Sequence, residues 1–509
     1  MNTGLEYTLS RIQKGLDQFQ GSQEIQQPRY VLLYQVIKKA IQEQVFPVAW
    51  NLPGTRSLAV GLGWSRTTVI RAYELLELEH LVQAKGGSGY RVTDTTVWYQ
   101  RLAHKAHAKA DTLEHLVSRQ AHQYQKSQAM LQGSPISNTT FWPGLPPVDI
   151  FPINRWKNLL NNYWRYVKAS SLNYSPSSGD AHFKSKIAQF LRISRGIVCD
   201  PDQIMIVSGS VQSVFLLAHT LVNPGEGVVL ENPGFPNVMG IFEGSGARVI
   251  GVGCDENGLR VQELQNLDHQ PHSPIKLVHV TPACQYPLGV TMGIQRRNQL
   301  LEWSYQRDCL IVENDYEHEI SNRSQPIPTL FNLDNRQRTI YLGTFNRLLY
   351  PSIRLGFMVV PPSLVPALEA MQAHSHRFVS PYLQEVMGQF IDKNYLYSHL
   401  KTLGNEAEAR EEVFRQVFPL SVSGGQWLQP GNSKSLHLTL AWGEESGWSS
   451  LHQESKAMDW LIKAGLTAQR LSSCYLPGTN PSGGLVLGYA SVNPGEIRRK
   501  LAPLLTTKL

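Results

Sequence analysis

Between residues 204 and 343 the chain returns six times to one kind of segment, a short apolar run rich in β-branched residues. The runs cover 204–207, 227–230, 248–252, 277–280, 309–313 and 339–343. Stretches of helical length lie between several of them. A strand buried on both faces reads as a continuous apolar run, and parallel neighbours need a crossover that a helix can supply. The alternation therefore predicts an α/β sheet with crossovers from about residue 138 onward. Near residue 395 the pattern changes. A helix is expected over 399–418, followed by a smaller α/β unit. The expected domain is 138–505, with a large part over 138–395 and a small part over 396–505. A chain of 509 residues exceeds one ordinary core, so two or three domains are expected.

Residues 29–94 have a different pattern. Leu33, Val36, Ile37 and Ile41 recur at helical spacing within 30–44. A short helix fits 55–62. Gly61-Leu62-Gly63-Trp64 signals a turn, and Ser65 is a good N-cap for a third helix with Val69, Ile70, Tyr73 and Leu76 on its apolar side. Lys85-Gly86-Gly87-Ser88-Gly89-Tyr90-Arg91-Val92 reads as a glycine-rich turn between two short strands. Helix, helix, turn, helix and β-ribbon is a winged helix-turn-helix order. Residues 95–137 are polar, without Gly or Pro until Gly133. They predict a mostly helical, semi-rigid linker, either a solvated helix or one that brushes DNA phosphates.

Composition narrows the classes further. No apolar run is long enough to cross a bilayer, and the first twenty residues lack the apolar core of a signal peptide. Cys199, Cys254, Cys284, Cys309 and Cys474 are scattered and form no CxxC. That pattern argues against a disulfide framework or a zinc site and points to a cytoplasmic protein. A net charge of +7 permits nucleic-acid binding without requiring it.

The segment Asn51-Leu52-Pro53-Gly54-Thr55-Arg56-Ser57-Leu58-Ala59, then Gly61-Leu62-Gly63-Trp64-Ser65-Arg66-Thr67-Thr68-Val69-Ile70-Arg71-Ala72-Tyr73, resembles GntR-type winged helices, which read LPSSRxLA and then LGVSRxTVxRAY. The residue types suit that role. Ser65 caps a helix whose first turn offers Arg66, Thr67 and Thr68, a guanidinium and two hydroxyls for base edges and phosphates. Arg71 lies one turn further on. Arg56 and Ser57 open the preceding helix, and Lys85 and Arg91 flank the wing. The alternative is a helix-turn-helix reused for protein contacts.

A second segment, Gly343-Thr344-Phe345-Asn346-Arg347-Leu348-Leu349-Tyr350-Pro351-Ser352-Ile353-Arg354-Leu355-Gly356, resembles the cofactor segment of fold-type-I pyridoxal-phosphate (PLP) enzymes. There it reads Gly-Thr-Phe-Ser-Lys, then a proline, then Arg-x-Gly. The family lysine forms the imine with PLP, and the matching residue here is Arg347. A guanidinium stays protonated and offers no nucleophilic lone pair. No lysine occurs anywhere between Lys276 and Lys393, so a small shift in alignment cannot supply one.

With the winged helix in front, residues 138–505 resemble the MocR/GabR subfamily of GntR-type regulators. Their aminotransferase-like domain senses PLP and an amine or amino acid and forms a head-to-tail homodimer. The resemblance implies site residues one by one. Tyr174 matches a tyrosine that reaches the partner subunit's cofactor phosphate. Ser210 and Val211, in Ser208-Gly209-Ser210-Val211-Gln212, match the phosphate loop at a helix start. Thr344 and Arg354 complete that cup. Phe235 matches the ring stacked on the pyridine, Tyr286 lies in the HQ(F/Y)PTG loop, and Tyr316 matches the tyrosine beside the phenolic oxygen. Other family groups are missing. Asn314 stands where an Asp holds the pyridinium nitrogen, with Asp315 next to it as a rescue by a one-residue shift. Val486 stands where an arginine binds substrate carboxylate. Arg347 is expected to add a fixed positive charge beside the retained cup.

These readings imply a cytoplasmic DNA-binding regulator that acts as a homodimer on double-stranded operator DNA, with a pseudoenzyme sensor or scaffold domain. Covalent PLP is not expected. Non-covalent PLP, or another phosphorylated or anionic effector, is the sensor reading. Two rivals remain at this stage: an active PLP aminotransferase with an accessory DNA-binding domain, and a ligand-independent DNA-binding dimer.

Overall fold

The computed structural model describes residues 3–20, 27–86, 89–94, 113–131, 140–267, 274–321, 327–420, 424–428, 435–442 and 450–506. The chain divides into two compact units, Met1–His115 and Leu116–Leu509.

Among the described residues the first unit holds four α-helices, α1 (Thr3–Gln20), α2 (Arg29–Gln42), α3 (Thr55–Leu62) and α4 (Arg66–Leu78). Three short strands, β1 (Asn51–Leu52), β2 (Val82–Lys85) and β3 (Gly89–Val92), form an antiparallel ribbon in the order β1-β3-β2. Its core comes from the expected apolar spacings, with Leu33, Ile37, Leu58, Val69, Tyr73 and Leu76 all fully buried. Between α3 and α4 the chain turns through Gly63 at φ 64°, a left-handed conformation that glycine adopts at little cost. The Ser65 side chain accepts the Thr68 N–H and caps α4 as expected. The winged helix also has an element that the motifs did not announce. Helix α1 packs on α2 and α3 and buries Ile12 and Leu16, one helical turn apart. At Gly15 a Cβ would sit 2.5 Å from Val36, so the missing side chain sets how closely α1 and α2 approach.

Of the expected linker, residues 95–112 and 132–137 lie outside the described residues. Its second half contains the helix Arg119–Leu131, and here the expectation of a solvated spacer needs correcting. One side of this helix packs on the helix Pro236–Gly244 of the second unit. A Cβ on Gly244 would lie 2.2 Å from the Tyr124 ring. The Tyr124 hydroxyl is 3.1 Å from His219 Nε2.

The second unit is built on an eight-stranded sheet in the order β4-β11-β10-β9-β8-β5-β6-β7. The six expected runs become β4 (Ile204–Val207), β5 (Gly227–Asn232), β6 (Arg248–Asp255), β8 (Ile275–Val280), β9 (Leu310–Asp315) and β10 (Thr339–Thr344). Strands β6, β5, β8, β9 and β10 are parallel neighbours. Two strands were not anticipated. β7 (Gly258–Leu259) pairs antiparallel on the edge, and β11 (Gly356–Val359) inserts antiparallel between β4 and β10. β4 and β10 are buried at every residue, which is why neither shows a polar alternation. The helix Tyr395–Val417 then leads to a four-stranded antiparallel sheet, β12 (Gln426–Trp427), β13 (Leu438–Ala441), β15 (Gly484–Leu487) and β14 (Gln469–Arg470). The segments after the carboxyl ends of β4, β5, β8, β9 and β10 meet at one end of the large sheet, where open α/β sheets place their ligands.

Candidate functional site

On the winged helix, Arg56, Ser57, Ser65, Arg66, Thr67 and Arg71 are exposed, and Thr68 is half-buried. Arg66 Nε donates to Thr55 Oγ1 at 3.3 Å, tying the first turn of α4 to the first turn of α3. The Arg71 guanidinium lies 5.7 Å from the Tyr30 ring. Lys85 and Arg91 are exposed on the two strands of the wing, whose tip, residues 87–88, lies outside the described residues. Apart from Arg71, one turn further along α4, the cationic and hydroxyl groups named from the sequence share the first turns of two adjacent helices, and the ribbon adds two more cations.

In the second unit a cavity of about 300 Å³ is lined by Ser210, Val211, Phe235, Tyr286, Asn314, Tyr316, Thr344, Arg347 and Arg354, together with Trp142, Gly144, Asn346 and Gln469. Nine of the ten sequence-named pocket residues converge there. The tenth, Tyr174, is 78% exposed and in its own chain sits by Phe378 and Arg377, away from this cavity.

One end of the cavity is a donor-rich cup. Gly209, at φ 118°, leads into the helix Ser210–Leu221. A Cβ there would lie 2.4 Å from Asn346 Nδ2. The first N–H groups of that helix, those of Ser210 and Val211 included, have no intrahelical acceptor. Arg354 reaches across to donate to Ser208 Oγ at 3.3 Å. Thr344 is 6% exposed, and its Oγ1 accepts the Asn346 N–H.

The other end is filled by the protein itself. Phe235 and Tyr286 stack at 4.0 Å between centroids with 5° between their planes. Tyr316 meets Phe235 edge-on and donates its hydroxyl to the Cys284 carbonyl at 2.8 Å. The Tyr286 hydroxyl donates to Gln469. The Arg347 guanidinium lies among these rings, 4.7 Å from Tyr316, 5.5 Å from Phe235 and 6.0 Å from Tyr286.

Arg347 was expected to add a fixed positive charge beside the cup, but that charge is paired within the protein. Arg347 Nη1 is 2.6 Å from Oε1 of Glu317, which is fully buried. The other Glu317 oxygen accepts the Leu436 N–H at 3.2 Å. Burial is the largest single effect and opposes the guanidinium charge, but Glu317 together with Tyr316 and Tyr286 outweighs it and holds the arginine above its ordinary pKa. The sequence reading missed Glu317, although it directly follows the Glu313-Asn314-Asp315-Tyr316 motif. Gly144, at φ 84°, faces the guanidinium, and a Cβ there would come within 2.7 Å of Arg347 Cζ.

Asn314 and Asp315 point to opposite faces of β9, as successive strand residues must. Asn314 Nδ2 lies 3.2 Å from Nε2 of His279, whose pKa burial pushes down to about 4. Asp315 pairs with Arg195 at 2.6 Å and accepts from the Tyr341 hydroxyl. Burial works against this carboxylate, yet Arg195 and its neighbours hold its pKa below the ordinary value. Rescue of the acidic role by a one-residue shift is therefore not what the strand does. Val486 is buried in the cluster behind Tyr286 and Tyr316.

A PLP molecule needs a lysine for its imine, a free face for its ring and donors for its phosphate. The phosphate cup meets the last need. The ring end does not fit, because Tyr286 takes a face of Phe235, Arg347 and Glu317 neutralise each other, and no lysine lines the cavity among the described residues.

Residues 150–456 match the family Aminotransferase class I and II, and residues 29–92 match Bacterial regulatory proteins, gntR family. The chain is 29% identical to the probable rhizopine catabolism regulatory protein MocR of Rhizobium meliloti, over 94% of this chain and 93% of that one. It is 26% identical to the HTH-type pyridoxine biosynthesis transcriptional regulator PdxR of Corynebacterium glutamicum, over 93% and 94%. The fold is shared with a Pyrococcus horikoshii kynurenine aminotransferase at 24% identity and a TM-score of 0.66, covering 78% of this chain and 98% of that one. An archaeal alanine:glyoxylate aminotransferase matches at 20% and 0.69, over 78% and 100%. The chain therefore belongs to the aminotransferase class I and II family, a family of PLP-fold proteins, and with its gntR-family N-terminal domain it has the two-part make-up of MocR/GabR-type regulators.

Proposed function

We propose that the protein is a DNA-binding transcription regulator whose aminotransferase-like unit is a pseudoenzyme. The observation that carries this reading is Arg347, held by Glu317 inside the cavity at the position where the sequence resemblance calls for a lysine. A paired guanidinium neither attacks an aldehyde nor shuttles the proton that transamination requires. The unit serves instead as a sensor that binds a small phosphorylated or anionic effector without a covalent bond, and as the homodimerisation module. The winged helix reads operator DNA through Arg66, Thr67, Thr68 and Arg71, with Arg56, Ser57, Lys85 and Arg91 on phosphates. Tyr174, exposed in its own chain, reaches the partner's cup in the dimer. The setting is the cytoplasm.

The test is chemical. Protein incubated with PLP and reduced with borohydride should yield pyridoxyl-lysine peptides only at the background level of exposed surface lysines, none at the cavity, and amino acids should give no turnover. A reduced adduct mapped to the cavity, or transamination above background, returns the enzyme reading.

A further inference from the structure

The two ends of the cavity differ in how many of their hydrogen-bonding groups are already engaged. At the ring end the engaged groups are Tyr316 on Cys284, Tyr286 on Gln469, Asn314 on His279 and Arg347 on Glu317. The stacking partner of Phe235 is Tyr286. At the cup end donors are left over. Arg354 has five N–H groups and donates one to Ser208 among the described residues. Thr344, nearly fully buried and lining the cavity, accepts a bond but has no acceptor for its own proton among the described residues. The helix Ser210–Leu221 adds free N–H groups and its positive end. Thr344 is buried, and a buried donor without an acceptor is costly. Arg354 is exposed and can turn its remaining N–H groups to a ligand. Such groups are the kind that surround a phosphate.

We propose that this cavity takes the phosphate monoester of a small, non-aromatic molecule, bound through the cup alone, while the protein's own Tyr286 ring and Arg347 guanidinium occupy the place of a stacked aromatic ring. The proposal rests on the sensor reading above and sharpens it. A pyridine ring would have to part Phe235 from Tyr286 and displace a buried ion pair. An aliphatic remainder has only to lie along the apolar lining offered by Val211, Val238 and Ile241.

Calorimetric titration of the full-length protein decides the matter. Three probes are used: glycerol 3-phosphate, inorganic phosphate, and pyridoxamine 5′-phosphate, which has no aldehyde and so forms no imine with surface lysines. Glycerol 3-phosphate should bind at least about tenfold more tightly than pyridoxamine 5′-phosphate and more tightly than inorganic phosphate. Arg354→Ala should abolish its binding. Arg347→Ala, which opens the ring end, should strengthen pyridoxamine 5′-phosphate binding by about tenfold or more. If that variant does not fold, the Arg347→Met/Glu317→Gln pair removes both charges and makes the same test. Native protein that binds the pyridoxamine ester as tightly as the glycerol ester overturns this proposal but leaves the sensor reading standing. Equal binding of inorganic phosphate and glycerol 3-phosphate overturns the monoester. If no probe binds, and Arg354→Ala melts like the native protein, the sensor reading falls as well.

Discussion

Arg347 and Glu317 act as one unit. Removing one member of a buried pair leaves an uncompensated charge, whereas removing both leaves only a packing change. Glu317→Gln should therefore destabilise the second unit by about 3 kcal/mol or more. The Arg347→Met/Glu317→Gln double variant should recover much of that loss in a denaturant titration. A double-mutant cycle with near-zero coupling would show that the contact is incidental. Another residue-scale effect concerns His279. Burial pushes its pKa down to about 4, while an unfolded histidine titrates near 6.5. Below about 6.5 the unfolded chain takes the proton first, so this residue's contribution is lost as pH falls from about 6.5 towards 4. Glu231, pushed up to about 7 by burial, acts in the opposite sense. The readout is therefore the difference in melting temperature between native protein and His279→Gln across that window, which should shrink on acidification. At this scale the sequence exposed identities but not partners. The spacing around Gly343 located Arg347. Its pairing with Glu317 depends on how the end of β9 faces the loop after β10, and no local pattern encodes that.

Among the elements, the strands were legible where burial on both faces produced continuous apolar runs, as in β4 and β10. β11 was missed because it is four residues long and follows a proline-containing turn with no periodicity of its own. α1 was missed because its buried apolar residues, Ile12 and Leu16, with the polar Thr8 one turn before them, make too narrow a stripe to stand out from a polar segment. The helix Arg119–Leu131 was expected as a helix and misjudged as a spacer, because a polar composition hides the one ring, Tyr124, that docks it. Gly244→Ala tests that docking. The new methyl would overlap the Tyr124 ring and should cost about 1–3 kcal/mol. Adding Tyr124→Ala should return most of the lost melting temperature of the second unit. If Gly244→Ala melts like the native protein, the helix is not seated as described.

At the scale of the whole molecule, the chain's two compact units let the proposed DNA-reading and dimerising roles be tested separately. Arg66→Ala should cost roughly 1–3 kcal/mol of operator affinity if its contact is bidentate to guanine, and binding should weaken steeply with salt as phosphate contacts release counterions. Unchanged operator affinity in both Arg66→Ala and Arg71→Ala would remove the proposed docking. Residues 1–115 carry their own core and should fold alone. If the second unit joins two copies, the fragment should bind a two-half-site operator at least about tenfold more weakly than the full chain, as mobility shifts at matched salt would show. The pairing at 347 and 317 also has a consequence for inheritance. A relative with lysine at the position of Arg347 has an amine that must be free to react, and a buried acid clamped onto it would silence that chemistry. A relative with arginine there but no acid at the position of Glu317 would strand a cation among aromatic rings. Across relatives the two positions should therefore change together, an acid at 317 accompanying arginine at 347, with glycine kept opposite them at 144.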